Sequence, residues 1–383
     1  MFKCNIYKLL LIFLVMKKNS VLDPWKVEGN VDYDKLVKEF GITHLEDLPS
    51  VFTKNVLFRR KTIFAHRDFQ KIILAIKDKK LFVMMTGLMP SGKFHIGHML
   101  LAQQMVFYQS LGAKIYITVA DVEAYNTRGL NLDECRKTAL EEYILNYAAL
   151  GLDIKKADIY FQSSRSKDAY KSNAYYRLQN LLAKHITFNE FKSIYGDLTP
   201  GKMVSALLQA SDILHPQLPE FEGAVPVLVP VGIDQDPHLR LTRDLSQRIK
   251  SPNFIQISST YHYFAPGLSG GKMSSSDPNS YIALTDVPQE VERKIKKYAF
   301  SGGRDTLEEH RKKGGNPDID VSFQYLKIFF EEDDKKLEKI YNDYKSGKML
   351  TSDLKKITIE KISSFLKEHQ KKREQMRKHL NSF

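Results

Sequence analysis

Cysteine is scarce in this chain of 383 residues, which contains only Cys4 and Cys135. Two cysteines cannot build the disulfide framework of a small secreted domain, and they are too few for a zinc or iron–sulfur cluster. Acceptor sites for N-linked glycosylation, Asn-x-Ser/Thr, are absent from the sequence. Both absences favour the reducing cytosol. We therefore predict a cytoplasmic protein that holds neither zinc nor an iron–sulfur cluster.

Long hydrophobic runs are absent as well. The run from Leu9 to Val15 follows Lys3 as the apolar core of a signal peptide would, but it is too short to span a bilayer. Met16-Lys17-Lys18 comes next, where a signal peptide would have a small-residue cleavage site. We predict that residues 1–15 are a mis-called leader, that translation starts at Met16, and that no membrane is involved. A secretory or membrane-anchoring leader is the alternative.

Positive charge is in excess, since 58 Lys and Arg against 45 Asp and Glu give a net charge of +13. Such a balance favours an acidic partner such as a nucleic acid, although a lysine-rich genome produces the same bias. Hydrophobic residues make up 43% of the chain, an ordinary share for a globular protein. The length gives room for two or three domains.

Strands and helices are predicted to alternate from Leu81 onward. Short apolar runs suited to buried parallel strands cover residues 81–86, 114–119, 158–162 and 225–231. Helical patterns cover residues 95–111 and 133–150, and each ends at a glycine. Repeated βα units predict an α/β fold with a doubly wound parallel sheet, in which ligands bind at the carboxyl ends of the strands.

The domain organisation follows from this pattern. Residues 81–287 are predicted to form a Rossmann-type domain with a mostly helical insertion at about 167–214. The N-terminal extension, residues 16–80, contains an amphipathic helix predicted to open at Phe64 and reach Lys77. Residues 288–383 show helical spacing only and are predicted to form an all-helical domain. Its end carries basic residues that either contact phosphates or are simply solvated, namely Lys367, Lys371, Lys372, Arg373, Arg377 and Lys378.

Two histidines lie where the helix after the first of these strands opens, in His95-Ile96-Gly97-His98. A helix N-terminus offers unpaired N–H groups to phosphates, and Gly97 leaves room for a nucleotide against the backbone. The two imidazoles share a helix face, from which they can donate to phosphate oxygens. Residues 87–94 almost spell a P-loop, but Phe94 replaces the hydroxyl residue that would bind Mg²⁺. The alternative is a pair of structural histidines beside a loop.

Far downstream lies a glycine- and serine-rich loop, Gly270-Gly271-Lys272-Met273-Ser274-Ser275-Ser276. Its glycines are typical of a loop that moves, and Lys272 is a point charge able to follow departing phosphates. Ser274 and Ser275 offer hydroxyl and backbone donors. The alternative is a solvated loop without a ligand.

A third motif ends the last predicted strand, in Val231-Gly232-Ile233-Asp234-Gln235-Asp236-Pro237-His238. Gly232 permits a close approach to the backbone, Asp234 can bind ribose hydroxyls, and Gln235 would point into an amino-acid pocket. The alternative makes Asp234 the N-cap of a helix running through Arg243.

Together, the histidine turn and the lysine loop match the paired signature of class I aminoacyl-tRNA synthetases. The chain resembles the tryptophan/tyrosine subgroup of that family, and within it the tryptophanyl-tRNA synthetases of the archaeal and eukaryotic cytosolic type. The resemblance extends from Asp23 to Gln370. Its distinctive blocks are residues 23–29, 64–69, 234–237, 241–244, 301–306, 309–311 and 314–316.

The resemblance implies that the protein activates L-tryptophan with ATP and Mg²⁺ to tryptophanyl-adenylate and then loads tRNA(Trp). The catalytic residues would be His95, His98 and Lys272, with no metal held by the protein itself. The resemblance implies ATP contacts at Gly87, Pro90, Ser91, Gly97, Gly232, Asp234, Met273, Ser274 and Ser275. The helical domain at 288–383 would bind the tRNA anticodon, and the protein would be a homodimer.

Tryptophan would contact Met85, Thr118, Glu123, Gln209 and Gln235 by the same resemblance. A buried carboxylate or amide that accepts the indole N–H, between flat apolar walls, would favour indole over phenol. Members of the eukaryotic cytosolic type have a tyrosine in place of Met85 and a glutamine in place of Thr118. This sequence therefore departs from that type at the indole contact.

Three alternatives remain open. The first is a tyrosyl-tRNA synthetase, which runs the same chemistry with a different pocket. The second is another adenylyltransferase that uses a His-x-Gly-His turn, against which the lysine loop and the helical C-terminus argue. The third is a non-catalytic RNA-binding paralogue, although the intact His95, Gly97, His98 and Lys272 favour an active enzyme.

Overall fold

The structure, a computed structural model, describes residues 21–23, 26–28, 33–271, 273 and 277–380. Its strands are β1 (Val21–Asp23), β2 (Lys26–Glu28), β3 (Thr43–His44), β4 (Ile63–Arg67), β5 (Phe82–Leu88), β6 (Ala113–Val119), β7 (Asp158–Phe161), β8 (Val227–Gly232) and β9 (Ser258–His262). The predicted leader, residues 1–15, lies outside the described residues.

Helices surround these strands and make up most of the C-terminal part of the chain. They are α1 (Tyr33–Phe40), α2 (Ser50–Thr53), α3 (Val56–Arg59), α4 (Gln70–Lys77), α5 (Ile96–Ser110), α6 (Asp121–Arg128), α7 (Leu132–Thr138), α8 (Leu145–Ala149), α9 (Ala169–Ala183), α10 (Phe188–Tyr195), α11 (Pro200–Leu214), α12 (Asp236–Arg248), α13 (Pro288–Tyr298), α14 (Leu307–Lys313), α15 (Val321–Tyr325), α16 (Asp334–Lys345) and α17 (Thr351–Leu380). Ala139–Ile144 and Leu326–Phe330 are π-helical, whereas His215–Gln217 and Ile233–Gln235 are 3₁₀-helical.

Seven strands form the main sheet, in the order β3-β4-β9-β8-β5-β6-β7. The five strands from β9 to β7 run parallel to their neighbours, and β3 and β4 add an antiparallel edge. The predicted doubly wound sheet is confirmed. The sequence analysis missed strand β9. It also missed the two edge strands, β3 and β4, which lie in the chain before residue 80.

The prediction that a helix begins at Phe64 is wrong. Ile63, Phe64 and Ala65 are all buried, because this segment is strand β4, and helix α4 begins only at Gln70. Asp68 separates the two elements with a φ of 49°, a left-handed conformation that no helix continues. An uninterrupted buried run suits a strand covered on both faces, which periodicity alone does not distinguish from a helix.

The central strands are apolar because both of their faces are covered. Along β5, Met84 belongs to the core on one side of the sheet, whereas Val83 and Met85 belong to the core on the other. Such alternation is the two-residue period of a strand. Helices α9 to α11 lie between residues 169 and 214, and every element between residues 288 and 380 is a helix. In the part of the chain that the structure describes, no helix is both long and apolar enough to cross a membrane.

A buried ion pair joins the antiparallel edge to the start of α12. The Asp236 carboxylate is fully buried and accepts hydrogen bonds from Arg67 Nε and Nη2, both at 3.0 Å. It also accepts a hydrogen bond of 2.5 Å from the Tyr261 hydroxyl of β9. These bonds fix α12, and with it the turn that precedes α12, against strands β4 and β9.

We expect Asp236→Asn to lower the free energy of unfolding by about 3 kcal/mol, because it leaves the Arg67 guanidinium buried without a counter-charge. Urea unfolding followed by circular dichroism measures this loss. Asp244→Asn is the matched control, since Asp244 lies on the same helix and is exposed. Equal stability of the two variants would contradict the assigned role of the ion pair.

Candidate active site

A cavity of about 460 Å³ opens at the carboxyl ends of β5, β6 and β8. The parallel register places Leu88 of β5 beside Val119 of β6, so the chain leaves both strands at the same edge. Most of the residues predicted from the sequence lie around this cavity. They are Met85, Gly87, Gly97, His98, Thr118, Glu123, Gln209, Gly232, Asp234 and Gln235.

Several other predicted residues do not line the cavity. His95 and Pro90 are buried beside it, and Ser91 is half-buried, with its hydroxyl oxygen 3.4 Å from the Arg128 Nη1 donor. Lys272, Ser274 and Ser275 lie outside the described residues, so their assigned roles stay predictions. Met273 is described and packs against the histidine turn, as detailed below.

The histidine turn begins α5, and its two imidazoles pack face to face. His95 is the N-cap of the helix, in an extended conformation with φ −124°. Its backbone N–H donates to Nδ1 of His98 at 3.1 Å, and the two rings stack with centroids 3.8 Å apart. Because Nδ1 of a neutral His98 accepts this bond, its proton resides on Nε2, which makes Nε2 the donor available to a ligand.

Both histidines are neutral at physiological pH. Burial lowers the pKa of His95 to about 4. Burial, followed by the charge that His95 would carry, lowers the pKa of His98 well below its ordinary range. The turn therefore offers hydrogen-bond donors rather than permanent positive charge, so any cation at this site is supplied by other residues or by a metal.

The space that a side chain at Gly97 would occupy already has close neighbours. A Cβ atom at this position would lie 2.8 Å from Sδ of Met273 and 3.1 Å from the His95 ring. The sequence analysis expected Gly97 to leave space for a nucleotide. In the structure, the thioether of Met273 lies beside that space. Met273 belongs to the downstream loop, which therefore contacts the histidine turn.

Asp234 follows β8 in a 3₁₀ turn and faces the cavity with 5% of its surface exposed. The alternative that made it a helix N-cap is wrong, because α12 begins at Asp236 and its N-cap is Gln235. Gln235 Nε2 donates to Asp234 Oδ2 at 3.2 Å. A Cβ at Gly232 would lie 2.6 Å from Asp234 Oδ1, so glycine lets the carboxylate fold back against its own strand.

Asp212 is a cavity residue that the sequence analysis missed. Its carboxylate is 1% exposed and accepts hydrogen bonds from the hydroxyls of Tyr160 and Tyr175, both at 2.7 Å, and from Gln162 Nε2 at 2.8 Å. Burial raises the pKa of Asp212 to about 6. Asp212 lies one helical turn after Gln209 on α11, and this spacing was a signal in the sequence that both side chains face one pocket.

Glu123 supplies a second carboxylate, on α6. Burial and the neighbouring Asp212 charge raise the pKa of Glu123 to about 7, while Arg128 acts in the opposite direction. Arg128 was also missed by the sequence analysis. Among the described lining residues it is the only Lys or Arg, and it is exposed at the cavity mouth. The cavity thus combines several carboxylates with a single fixed cation in the described part of the chain.

A larger cleft of about 740 Å³ lies elsewhere, between α1, α10 and α12. We call it the arginine cleft, after Arg67, Arg240, Arg243 and Arg248, which line it. Each of these arginines forms an ion pair with a carboxylate of this chain. None of the described residues of the histidine turn or the lysine loop lines the arginine cleft, and the third motif contributes Pro237 alone, so its size does not make it the candidate active site.

The geometry agrees with comparisons to known proteins. Residues 77–367 match the family described as class I tRNA synthetases (W and Y). Tryptophan–tRNA ligases from Hyperthermus butylicus and Methanocaldococcus jannaschii are each 43% identical to this chain; the two alignments cover 93% and 92% of it, and 95% of each relative. The chain therefore belongs to the class I tRNA synthetases of the tryptophan and tyrosine group.

Solved structures of tryptophanyl-tRNA synthetases are also similar to this chain. The crystal structure of tryptophanyl-tRNA synthetase from Aeropyrum pernix superposes with a TM-score of 0.86 at 42% identity, covering 94% of this chain and 98% of that one. The tryptophanyl-tRNA synthetase of Plasmodium falciparum superposes with a TM-score of 0.80 at 30% identity, covering 90% of this chain and 94% of that one. The similarity thus spans nearly the whole chain.

The neutral histidine turn predicts a pH dependence of stability. Because folding lowers the pKa of His95 from 6.5 to about 4, its contribution to stability is present above pH 6.5 and is lost as the pH falls toward 4. We expect the stability difference between the native protein and His95→Gln to shift by about 2 kcal/mol against the native protein between pH 7.5 and pH 5.

Urea unfolding at the two pH values measures this shift. Glu123 and Asp212 titrate in the opposite sense, but they are present in both proteins, so their contributions cancel in the difference. A pH-independent difference would show that His95 is not held in its neutral form.

Proposed function

We propose that this protein is a tryptophan–tRNA ligase of the cytosol, which forms tryptophanyl-adenylate from L-tryptophan and ATP and transfers the tryptophanyl group to tRNA(Trp). One observation carries the proposal: a single cavity is lined by Gly97 and His98 of the histidine turn, by Asp234 and by the carboxylates of Glu123 and Asp212. The tryptophan–tRNA ligases named above match more than nine tenths of the chain, which supports the same reaction.

The ATP end of the cavity is assigned to the side where Gly97, His98 and Asp234 meet. His98 Nε2 would donate to a phosphate oxygen, and Asp234 would accept from ribose hydroxyls. Arg128 at the mouth, together with Lys272 of the downstream loop, would balance the phosphate charge. The family resemblance adds backbone contacts from the loop at Pro90 and Ser91.

Mg²⁺ would enter bound to ATP. No cluster of His, Cys, Asp and Glu suited to a metal occurs in the described residues. We expect the ion to be held chiefly by phosphate oxygens. Bound there, it would neutralise phosphate charge; the protein's own part is to orient the triphosphate.

The amino-acid end is assigned to the carboxylates. Glu123 would pair with the α-ammonium group of tryptophan, and Gln209 and Gln235 would offer amide contacts. Asp212 accepts hydrogen bonds from Tyr160, Tyr175 and Gln162, and its carboxylate would act as the acceptor that the indole N–H faces. Met85 and Thr118 would form the wall against the indole ring.

The reaction requires little acid–base chemistry from the protein. The carboxylate of tryptophan is ionised at neutral pH, so it can attack the α-phosphorus without a general base. Catalysis then consists of holding the two substrates in line and stabilising the charge that develops on the phosphate oxygens. The neutral histidines suit this role, because a donor fixed in place costs no reorganisation during the reaction.

Transfer to tRNA and assembly complete the proposal. We infer that the predicted C-terminal domain, residues 288–383, binds the anticodon region of tRNA(Trp), and that the protein acts as a homodimer, as the family resemblance implies. The net charge of +13 supports an RNA partner.

The direct test is amino-acid-dependent ATP–pyrophosphate exchange with purified protein, with tryptophan and tyrosine supplied separately. We expect exchange with tryptophan alone and a large loss in Lys272→Ala. Exchange with tyrosine would overturn the substrate. No exchange with either amino acid, from protein shown to be folded by circular dichroism, would favour a non-catalytic RNA-binding role.

The raised pKa of Glu123 predicts how tryptophan binding depends on pH. A Glu123 pKa of about 7 means that the ammonium partner is lost as the pH falls, so the affinity for L-tryptophan should drop about tenfold from pH 8 to pH 6. Isothermal titration calorimetry measures this change.

Two controls isolate the effect. Glu123→Gln should bind tryptophan more weakly at pH 8 and show a flatter pH profile. Indole-3-propionate, which lacks the ammonium group, should lose no affinity as the pH falls. A wild-type profile that is already flat for tryptophan would contradict the assignment of Glu123.

A further inference from the structure

The backbone of Phe94, just before the histidine turn, is held from two sides. Its N–H donates to Glu142 Oε2 at 3.3 Å, and its C=O accepts from the N–H of Leu284 at 3.0 Å. Two residues on, the N–H of Ile96 donates to the C=O of Ile282 at 3.0 Å. The position of the turn therefore depends on two segments that lie far from it in the sequence.

The first support is the π-helical turn Ala139–Ile144, which contains Glu142 and Tyr143. The Tyr143 hydroxyl donates to the backbone C=O of Ser91 at 3.2 Å, and its ring lies 5.3 Å from that of His98. This turn thus contacts both ends of the loop that leads into the histidine turn. π-helical turns within α-helices occur frequently at functional sites, because the extra residue re-aims the side chains around it.

The second support is the segment that contains Ile282 and Leu284. One turn of the C-terminal helix α17 contacts both supports. On the first side, His369 Nε2 lies 2.7 Å from Asn146 Oδ1, and Arg373 Nη2 donates to the C=O of Glu141 at 2.8 Å. On the second side, Gln370 Nε2 donates to the C=O groups of Leu284 and Asp286, both at 3.0 Å.

Arg373 is part of this turn and not of the basic surface. The sequence analysis grouped it with residues that either contact phosphates or are solvated, but only 8% of it is exposed. Its Nη2 atom lies 3.9 Å from Glu142 Oε1 and its Nη1 atom lies 3.6 Å from Glu374 Oε1. Its charge therefore lies between the carboxylate of Glu374 and the carboxylate that accepts the Phe94 N–H. The contacting residues lie beyond residue 367, where the family match ends.

We propose that Glu142 is a positioning residue for the histidine turn, and that Arg373 of α17 orients it. The C-terminal helix would thereby set the geometry of the ATP site without touching a substrate. This inference rests on the proposed function, since the consequence is measured on adenylate formation. A displacement of about 1 Å in a catalytic turn is enough to slow a reaction about a hundredfold, so a bond at this point has a kinetic effect.

The test compares two substitutions of Glu142 that differ in whether they keep an oxygen acceptor at this position. Glu142→Leu removes the acceptor of the Phe94 N–H, whereas Glu142→Gln keeps a carbonyl oxygen there. In ATP–pyrophosphate exchange we expect Glu142→Leu to lower kcat at least about tenfold and to raise KM for ATP, with KM for tryptophan within about twofold of wild type. Glu142→Gln should retain most of the activity. The control is Glu134→Leu, an exposed position on the preceding helix, which should behave as wild type.

Arg373 provides the second arm of the test. Arg373→Gln should show the same split between ATP and tryptophan, more weakly than Glu142→Leu, and Arg373→Lys should restore part of the loss. Combined with Glu142→Leu, Arg373→Gln should cause little additional loss, because both act through one contact. Should Glu142→Leu fail to fold, the Gln and Lys variants at position 373 make the same comparison.

Three results would overturn the inference: unchanged kinetics in folded Glu142→Leu, an equal loss of affinity for both substrates, or additive effects of the two substitutions. Absence of exchange in the wild-type protein would instead overturn the proposed function itself.

Discussion

The parallel pairing of β8, β5 and β6 is the constraint on which the rest of the structure depends. Parallel strands leave the sheet at one edge, so the three segments that follow them must lie side by side whatever their separation in the sequence. The chain turns from Leu88 toward His95, from Val119 toward Glu123 and from Gly232 toward Asp234. One cavity between these exits is therefore a consequence of the strand order.

Burial determines the electrostatics of that cavity. The histidines are neutral, and the carboxyl groups of Glu123 and Asp212 hold their protons more tightly than exposed ones would. Such groups recognise ligands by directed hydrogen bonds and become charged when an opposite charge arrives beside them. A zwitterionic amino acid and a nucleoside triphosphate supply those charges, which suits the proposed reaction.

Apolar runs and local motifs predicted the parallel sheet and the cavity residues Gly97, His98, Gly232, Asp234 and Gln235. Met85, Thr118, Glu123 and Gln209 were instead inferred from the family resemblance. The sequence did not predict β4, since a continuous buried run reads equally as helix or strand. Arg128 carries no motif of its own, and the one signal for Asp212 was its spacing from Gln209, so it is the fold that brings both residues to the strands' edge. Arg373 was grouped with the basic surface for the same reason: burial depends on long-range packing.

The most direct test of this account is a crystal structure with a non-hydrolysable tryptophanyl-adenylate analogue. The account predicts the analogue in the cavity at the strands' edge, with its adenosine between Gly97 and Asp234, its ammonium at Glu123 and its indole N–H toward Asp212. An analogue bound in the arginine cleft, or bound in the reverse direction with its indole beside Gly97, would contradict the central claim.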